Sequence, residues 1–141
     1  MTRGEEELRR IRGLDARIKA RIKEMAQMRE QVTSIQASSL SEKVSGSKCH
    51  DLSDVVAVFL DQTHEIRRKI VLDMQERQEI VTKILNMENP LYAAILYWHF
   101  AAGMSHEEKA GQIDCSESKV KHNYRPAVAA YEKEYFHDII T

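Results

Sequence analysis

Residues 105–128 read SHEEKAGQIDCSESKVKHNYRPAV, two short helical patterns on either side of a polar break, Asp114-Cys115-Ser116. Ser105 followed three residues later by Glu108 is a capping box, in which hydroxyl and carboxylate satisfy the free amides of a helix start, so a helix opens at His106. Ala110 and Ile113 are its inward residues. Ser116 is a second N-cap, and from it Val120, Tyr124, Val128, Tyr131 and Tyr135 recur at steps of three and four, with Ala127 beside them. The opposite face carries Ser118, Lys121, His122 and Arg125. Two helices joined by a tight turn, the second turning cationic and hydrogen-bonding side chains outward, match a DNA-binding helix-turn-helix; they also match a helical hairpin in an ordinary bundle.

Working upstream, Asn89-Pro90 pairs an N-cap residue with proline at the first helical position, and the run LYAAILYWHFAAG that follows is the most apolar in the chain. Gly103 closes that helix as a C-cap, and Tyr97, Trp98 and Phe100 make it the aromatic centre of the C-terminal part. His99 beside them reads as a structural residue. No activated nucleophile or spaced acid–base pair lies nearby, so no catalysis is expected.

The first two thirds of the chain are different. Leu8, Ile11, Leu14, Ile18, Ile22, Met25, Met28 and Val32 form a narrow stripe close to a heptad seam, with charged and polar residues between them. A second stripe runs through Leu52, Val56, Phe59, Thr63, Ile66, Ile70, Met74, Val81 and Ile84, thickened by Leu60, Ile80 and Leu85; between Met74 and Val81 the seam falls on Arg77 or Gln78. The Ser-rich segment at about 36–50 interrupts the periodicity and reads as a connector. Neither helix buries its seam alone, so the pair folds back as an antiparallel hairpin, pairs with another copy, or does both. The expected architecture is therefore all-α: a long, coiled-coil-like helical hairpin over residues 1–88, then a small helix-turn-helix unit over 89–141.

Composition agrees. The 141 residues hold only five glycines and two prolines, too few breakers for a many-stranded protein, while 30% charged and 6% aromatic residues suit long solvated helices. A formal net charge of -1 argues against coating nucleic acid by bulk electrostatics and leaves room for a local basic face. Between Ser116 and Arg125 the cations are Lys119, Lys121 and Arg125 and the anion is Glu117, whereas Glu107, Glu108 and Asp114 make the preceding helix acidic. No apolar run is long enough to cross a bilayer, and MTRGEEELRR has no apolar core for a signal peptide, so a soluble, cytoplasmic protein is expected, with no membrane partner. Cys49-His50 offers two ligands where zinc needs four, and no complementary pair follows, so neither a metal nor another cofactor is expected. Cys115 reads as a small apolar plug in the turn.

Taken together, residues 7–131 resemble the ArpU/RinA-like late transcriptional regulators of phages of Gram-positive bacteria, whose C-terminal unit is like region 4 of sigma-70 factors. The residues that carry the resemblance are Leu96, Tyr97, Gly103, Ser105, Glu107, Glu108, Ala110, Ser116, Val120, Ala127 and Val128. It implies an activator of late genes in a bacterial host, acting on double-stranded DNA with host RNA polymerase. Ser118, Lys119, Lys121, His122 and Arg125 would then contact phosphates or base edges. The chain departs from the pattern at Leu96, Trp98-His99, Lys109, Asp114 and Asn123, and most pointedly at Pro126. Proline has no amide donor and clashes with the carbonyl of His122, so a shortened or bent second helix is expected. A second function therefore stays open, a helical adaptor that binds polymerase or a sigma factor without reading DNA. Either would assemble as a homodimer or higher homo-oligomer through the long helices.

Overall fold

A computed structural model describes residues 1–41 and 46–136, with side chains for 1–38 and 53–136. Every regular element among the described residues is a helix: α1 (Arg3–Ser41), α2 (Gly46–Leu85), α3 (Pro90–Leu96), α4 (His106–Ile113) and α5 (Glu117–Phe136). A single π-type turn, Tyr97–Ala101, extends α3. Helix takes up residues 36–41 and 46–50 of the segment expected from composition to be a connector. Serine lowers helix propensity only slightly, and with no proline in the segment α1 runs to Ser41 and α2 opens at Gly46. Residues 42–45, and with them the rest of the expected connector, lie outside those described, as do the side chains of Cys49 and His50.

The short helices begin where their capping residues place them. The Asn89 side chain accepts from the amides of Leu91 and Tyr92 at 3.0 and 3.3 Å, with Pro90 at the first helical position. At the end of this helix the Ala102 amide reaches back five residues to Tyr97 O (3.3 Å), and the Met104 amide reaches Trp98 O (3.0 Å). Gly103 takes the positive φ of 68° that this reversal needs.

Contacts gather the chain into two compact units, Met1–Asp15 with Gln75–Thr141, and Ala16–Met74. Both long helices contribute to the core of the first unit. There Leu8, Ile11 and Leu14 of α1 and Ile80, Val81 and Ile84 of α2 share one cluster with Leu96, Phe100, Ala127 and Tyr131. Ion pairs flank that core. Lys83 meets Glu7 at 2.6 Å and Arg77 meets Asp15 at 2.5 Å, so bonded positions rise along α1 as they fall along α2.

The second unit is thinner. Of its described apolar residues only Met28 and Ile70 are buried, while Ile18, Met25, Val56, Phe59 and Ile66 are half-covered. Two stripe positions depart from expectation: Ile22 and Met74 are exposed, and Asp73 takes the inward place beside Met74. The reason is electrostatic. Asp73 accepts from Arg17 Nε and Nη2 at 2.9 and 2.7 Å and from Arg21 Nη1 at 2.5 Å, and a carboxylate with charged donors on both oxygens tolerates burial.

Candidate nucleic-acid interface

Helices α4 and α5 are joined by the turn that their sequence specifies. Ser105 Oγ accepts from the Glu108 amide (3.2 Å) and lies 3.1 Å from the Glu108 carboxylate, to which it donates. The carboxylate thus accepts from the Ser105 hydroxyl, where the expected capping box has it accept from the Ser105 amide. Asp114 ends α4 in the left-handed region, φ 58° and ψ 47°, where aspartate is better tolerated than most residues with a Cβ. Its amide and that of Cys115 both reach Ala110 O. Ser116 Oγ then caps the Lys119 amide at 3.1 Å and α5 begins.

The inward stripe of α5 is the one its periodicity gives. Val120, Ala127 and Tyr131 are buried and Tyr124, Val128 and Tyr135 half-buried, whereas Ser118, Lys119, Lys121, His122 and Arg125 are all exposed. At about 100° per residue, Ser118, Lys121, His122 and Arg125 fall on one face, opposite the buried stripe, and Lys119 lies at its edge. Lys121 forms an exposed ion pair with Glu117 one turn earlier, 3.2 Å, of the kind that is broken at little cost. Asn123 does not project to solvent as a free donor; its side-chain amide bonds Lys119 O at 2.8 Å. Nor is α5 shortened at Pro126. The proline ring is exposed, Ala127 and Tyr131 hold the following turns in the core, and the helix continues to Phe136. Ile113, expected inward on α4, is only half-buried, and a charged residue takes the best-covered place.

That residue is Lys109, whose side chain has no exposed surface. Its Nζ lies 2.8 Å from His99 Nδ1 and 5.0 Å from the centroid of the Tyr124 ring. The His99 ring in turn packs on Phe100 and Tyr124, with ring centroids 4.7 and 4.8 Å away, and its Nε2 is 3.4 Å from the Tyr124 hydroxyl. Burial and the neighbouring Lys109 charge push His99 down to about 4, and burial with the Arg12 charge pushes Lys109 down to about 8. At neutral pH the ammonium therefore donates to a neutral imidazole, which places the remaining ring proton on Nε2, facing Tyr124. The His106 ring lies nearly parallel to His99 with centroids 6.2 Å apart, and 5.7 Å from the Tyr124 ring. One polar chain thus links the π turn, α4 and α5. In the sequence this polar chain is inconspicuous, because a lysine and a histidine in apolar company look like departures from a pattern rather than partners. The available signal is position: Lys109 lies four residues before Ile113, on its face, and His99 lies three after Leu96.

Cys115 is half-buried in the turn. Among the described residues no cluster of three or more histidine, cysteine or acidic side chains is placed to hold a metal ion, and no helix is long and apolar enough to cross a membrane. No protein family, curated protein or solved structure matches the chain.

Proposed function

We propose that this chain is a DNA-binding transcription regulator of the phage late-gene type, acting in the bacterial cytoplasm, and that it meets double-stranded DNA through the outward face of α5. One observation carries the reading: Ser118, Lys121, His122 and Arg125 form a single exposed stripe opposite the buried Val120–Ala127–Tyr131 stripe, on a helix fixed by its Ser116 cap. A capped helix with cations on its free side can lie in a major groove, where a guanidinium or ammonium suits the O6 and N7 acceptors of guanine. With three cations in its first turns, one of them paired to Glu117, a single copy makes few phosphate contacts, so useful affinity calls for a dimer or for host RNA polymerase beside it.

The Ala16–Met74 unit supports self-association. Ile22, Val58, Leu60, Leu72 and Met74 are each more than half exposed there, on helices whose inner seam is only half-covered. Sedimentation over a range of concentrations tests this, and a strictly monomeric chain at high micromolar concentration rules the homodimer out.

The DNA reading is tested by titrating wild type and Lys121→Ala/Arg125→Ala onto duplex DNA from upstream of the chain's own operon at several salt concentrations. Wild type should bind more tightly and with the steeper salt dependence; equal affinities and equal slopes would sink the assignment. The adaptor reading draws on the Lys121–Glu117 pair and on the acidic, exposed Glu107 and Glu108 of α4. Capture of RNA polymerase or a sigma factor that survives nuclease treatment, by a chain that binds no duplex, would favour it.

A further inference from the structure

Helix α1 lies alongside α5 in the opposite direction. The Gly4 amide donates to the Glu132 carboxylate and the Tyr131 hydroxyl to the Glu7 carboxylate. Further along α1, Arg12 Nη2 lies 3.5 Å from His99 O, at the outer limit of a hydrogen bond, and the His99 ring packs on Tyr124. Ascending α1 from Gly4 to Arg12 thus descends α5 from Glu132 to Tyr124. That register sets Arg9 and Arg12, one turn apart, level with Tyr124 and the neighbouring Arg125. Burial raises the pKa of the Tyr124 hydroxyl; Arg9 and Arg12 of α1 and Arg125 of α5 oppose that shift, and Glu5 adds to it. Arg12 is exposed and the Arg9 side chain is 55% exposed. Carboxylates share this seam: Glu5 is bonded to Arg9 at 3.0 Å, Glu117 to Lys121, Glu7 to Lys83 and to the Tyr131 hydroxyl, and Glu132 to the Gly4 amide.

We propose that Arg9 and Arg12 of α1 belong to the same polyanion-binding surface as Lys121 and Arg125 of α5, and that they grip the sugar–phosphate backbone beside the segment that α5 meets. The inference rests on the reading of α5 as a DNA-facing helix and adds to it a second element and a division of labour. Arginines on α1 are fixed to the core of the same unit through Leu8 and Ile11, so they extend the footprint sideways along the duplex without reaching into its groove. Contacts of that kind set register and affinity and carry no base sequence. The surface gains two guanidiniums, which a protein of net charge -1 needs if it is to hold a polyanion locally.

The test uses the full chain, a labelled duplex from upstream of its own operon and a scrambled duplex of equal length. Each released phosphate contact lowers the slope of log affinity against log salt by about 0.9. Arg9→Gln/Arg12→Gln should bind both duplexes more weakly by the same factor and lose about one to two units of slope, whereas Arg9→Lys/Arg12→Lys should keep the slope. Matched circular dichroism and melting curves show that the Gln variant is folded; should it fail to fold, the single variant Arg9→Gln, which breaks only an exposed pair, carries the test. Wild-type slope in the Gln variants overturns the inference while leaving α5 in place. A wild-type chain that binds neither duplex overturns the α5 reading and this inference with it.

Discussion

Lys109 Nζ lies 2.8 Å from His99 Nδ1, on a lysine side chain that no solvent reaches. The ammonium has one neutral acceptor and the face of Tyr124 in place of its water shell, so its burial is only partly offset. Removing the acceptor should therefore be worse than removing the charge. His99→Ala should destabilise the chain by about 1–3 kcal/mol, the cost of leaving a buried donor unmet. Lys109→Met keeps the stem and discards the charge, and should be neutral or stabilising by up to about 1–2 kcal/mol. Urea unfolding of the two variants decides it, and a Lys109→Met variant less stable than His99→Ala would show that the charge itself holds α4 on α5.

The same pair gives stability a pH dependence with a definite sign. An unfolded His99 takes up its proton near 6.5, whereas the folded one resists until about 4. Between those values the unfolded chain binds more protons, so stability falls as pH falls and levels off below about 4. Lys109 works in the same sense at the alkaline end. Unfolded it keeps its proton to about 10.5 and folded it loses it near 8, so stability rises with pH across that window. Melting temperatures of wild type and His99→Gln across the acid window test the first limb. The variant should show a shallower decline, with the remaining slope due to carboxylates, and parallel curves would contradict the assignment.

Much of this was legible in the residues. Asn89-Pro90, Gly103, Ser105 with Glu108, and Ser116 each mark a helix boundary by chemistry that acts within four residues, and each boundary lies where that chemistry puts it. Exposure of Ser118, Lys119, Lys121, His122 and Arg125 follows from the period of α5 alone. What escaped is long-range. Asp73 reads as a surface residue until Arg17 and Arg21, distant in sequence, neutralise it, and Lys109 reads as solvated until His99 and Tyr124 close over it. The sharing of one core by the first turns of α1 and the last turns of α2 escaped for a related reason. Periodicity says which face is apolar, not what covers it.

Backbone strain in the α4–α5 segment yields a further expectation. Asp114 holds φ at 58°, a conformation that costs a residue with a Cβ about 1 kcal/mol and glycine almost nothing. Pro126 denies α5 one hydrogen bond in its interior, with a penalty of up to about 3 kcal/mol where the helix is otherwise regular. Asp114→Gly should raise stability by a few tenths to about 1 kcal/mol, and Pro126→Ala by about 1–3 kcal/mol. If α5 meets DNA along its first turns, ahead of the proline, both variants should bind duplex DNA as wild type does. A Pro126→Ala variant with altered affinity would mean that the proline sets the angle at which α5 is presented.

Asp73 separates stability from specificity. It accepts from Arg17 and Arg21, and its neighbours on the inward face of α2 are Ile66 and Ile70, so an apolar residue there would continue the seam. Asp73→Leu removes the buried charge and leaves Arg17 and Arg21, whose side chains are already 48% and 27% exposed, within reach of water. Its cost should be small, within about 1 kcal/mol. Asp73→Asn keeps the shape but turns an amide NH2 toward a guanidinium, donor against donor, and should cost about 1.5–3 kcal/mol, the value of a charge-assisted bond lost in a buried place. The order of the two, Asn worse than Leu, is the discriminating outcome in urea unfolding. The ion triad also fixes which residues of α1 and α2 face each other, since an apolar seam tolerates sliding and exchange of helices between copies better than a charged one does. Asp73→Leu should accordingly broaden the distribution of species in sedimentation velocity while Asp73→Asn leaves it unchanged; a single sharp species for the leucine variant would assign the triad to stability alone.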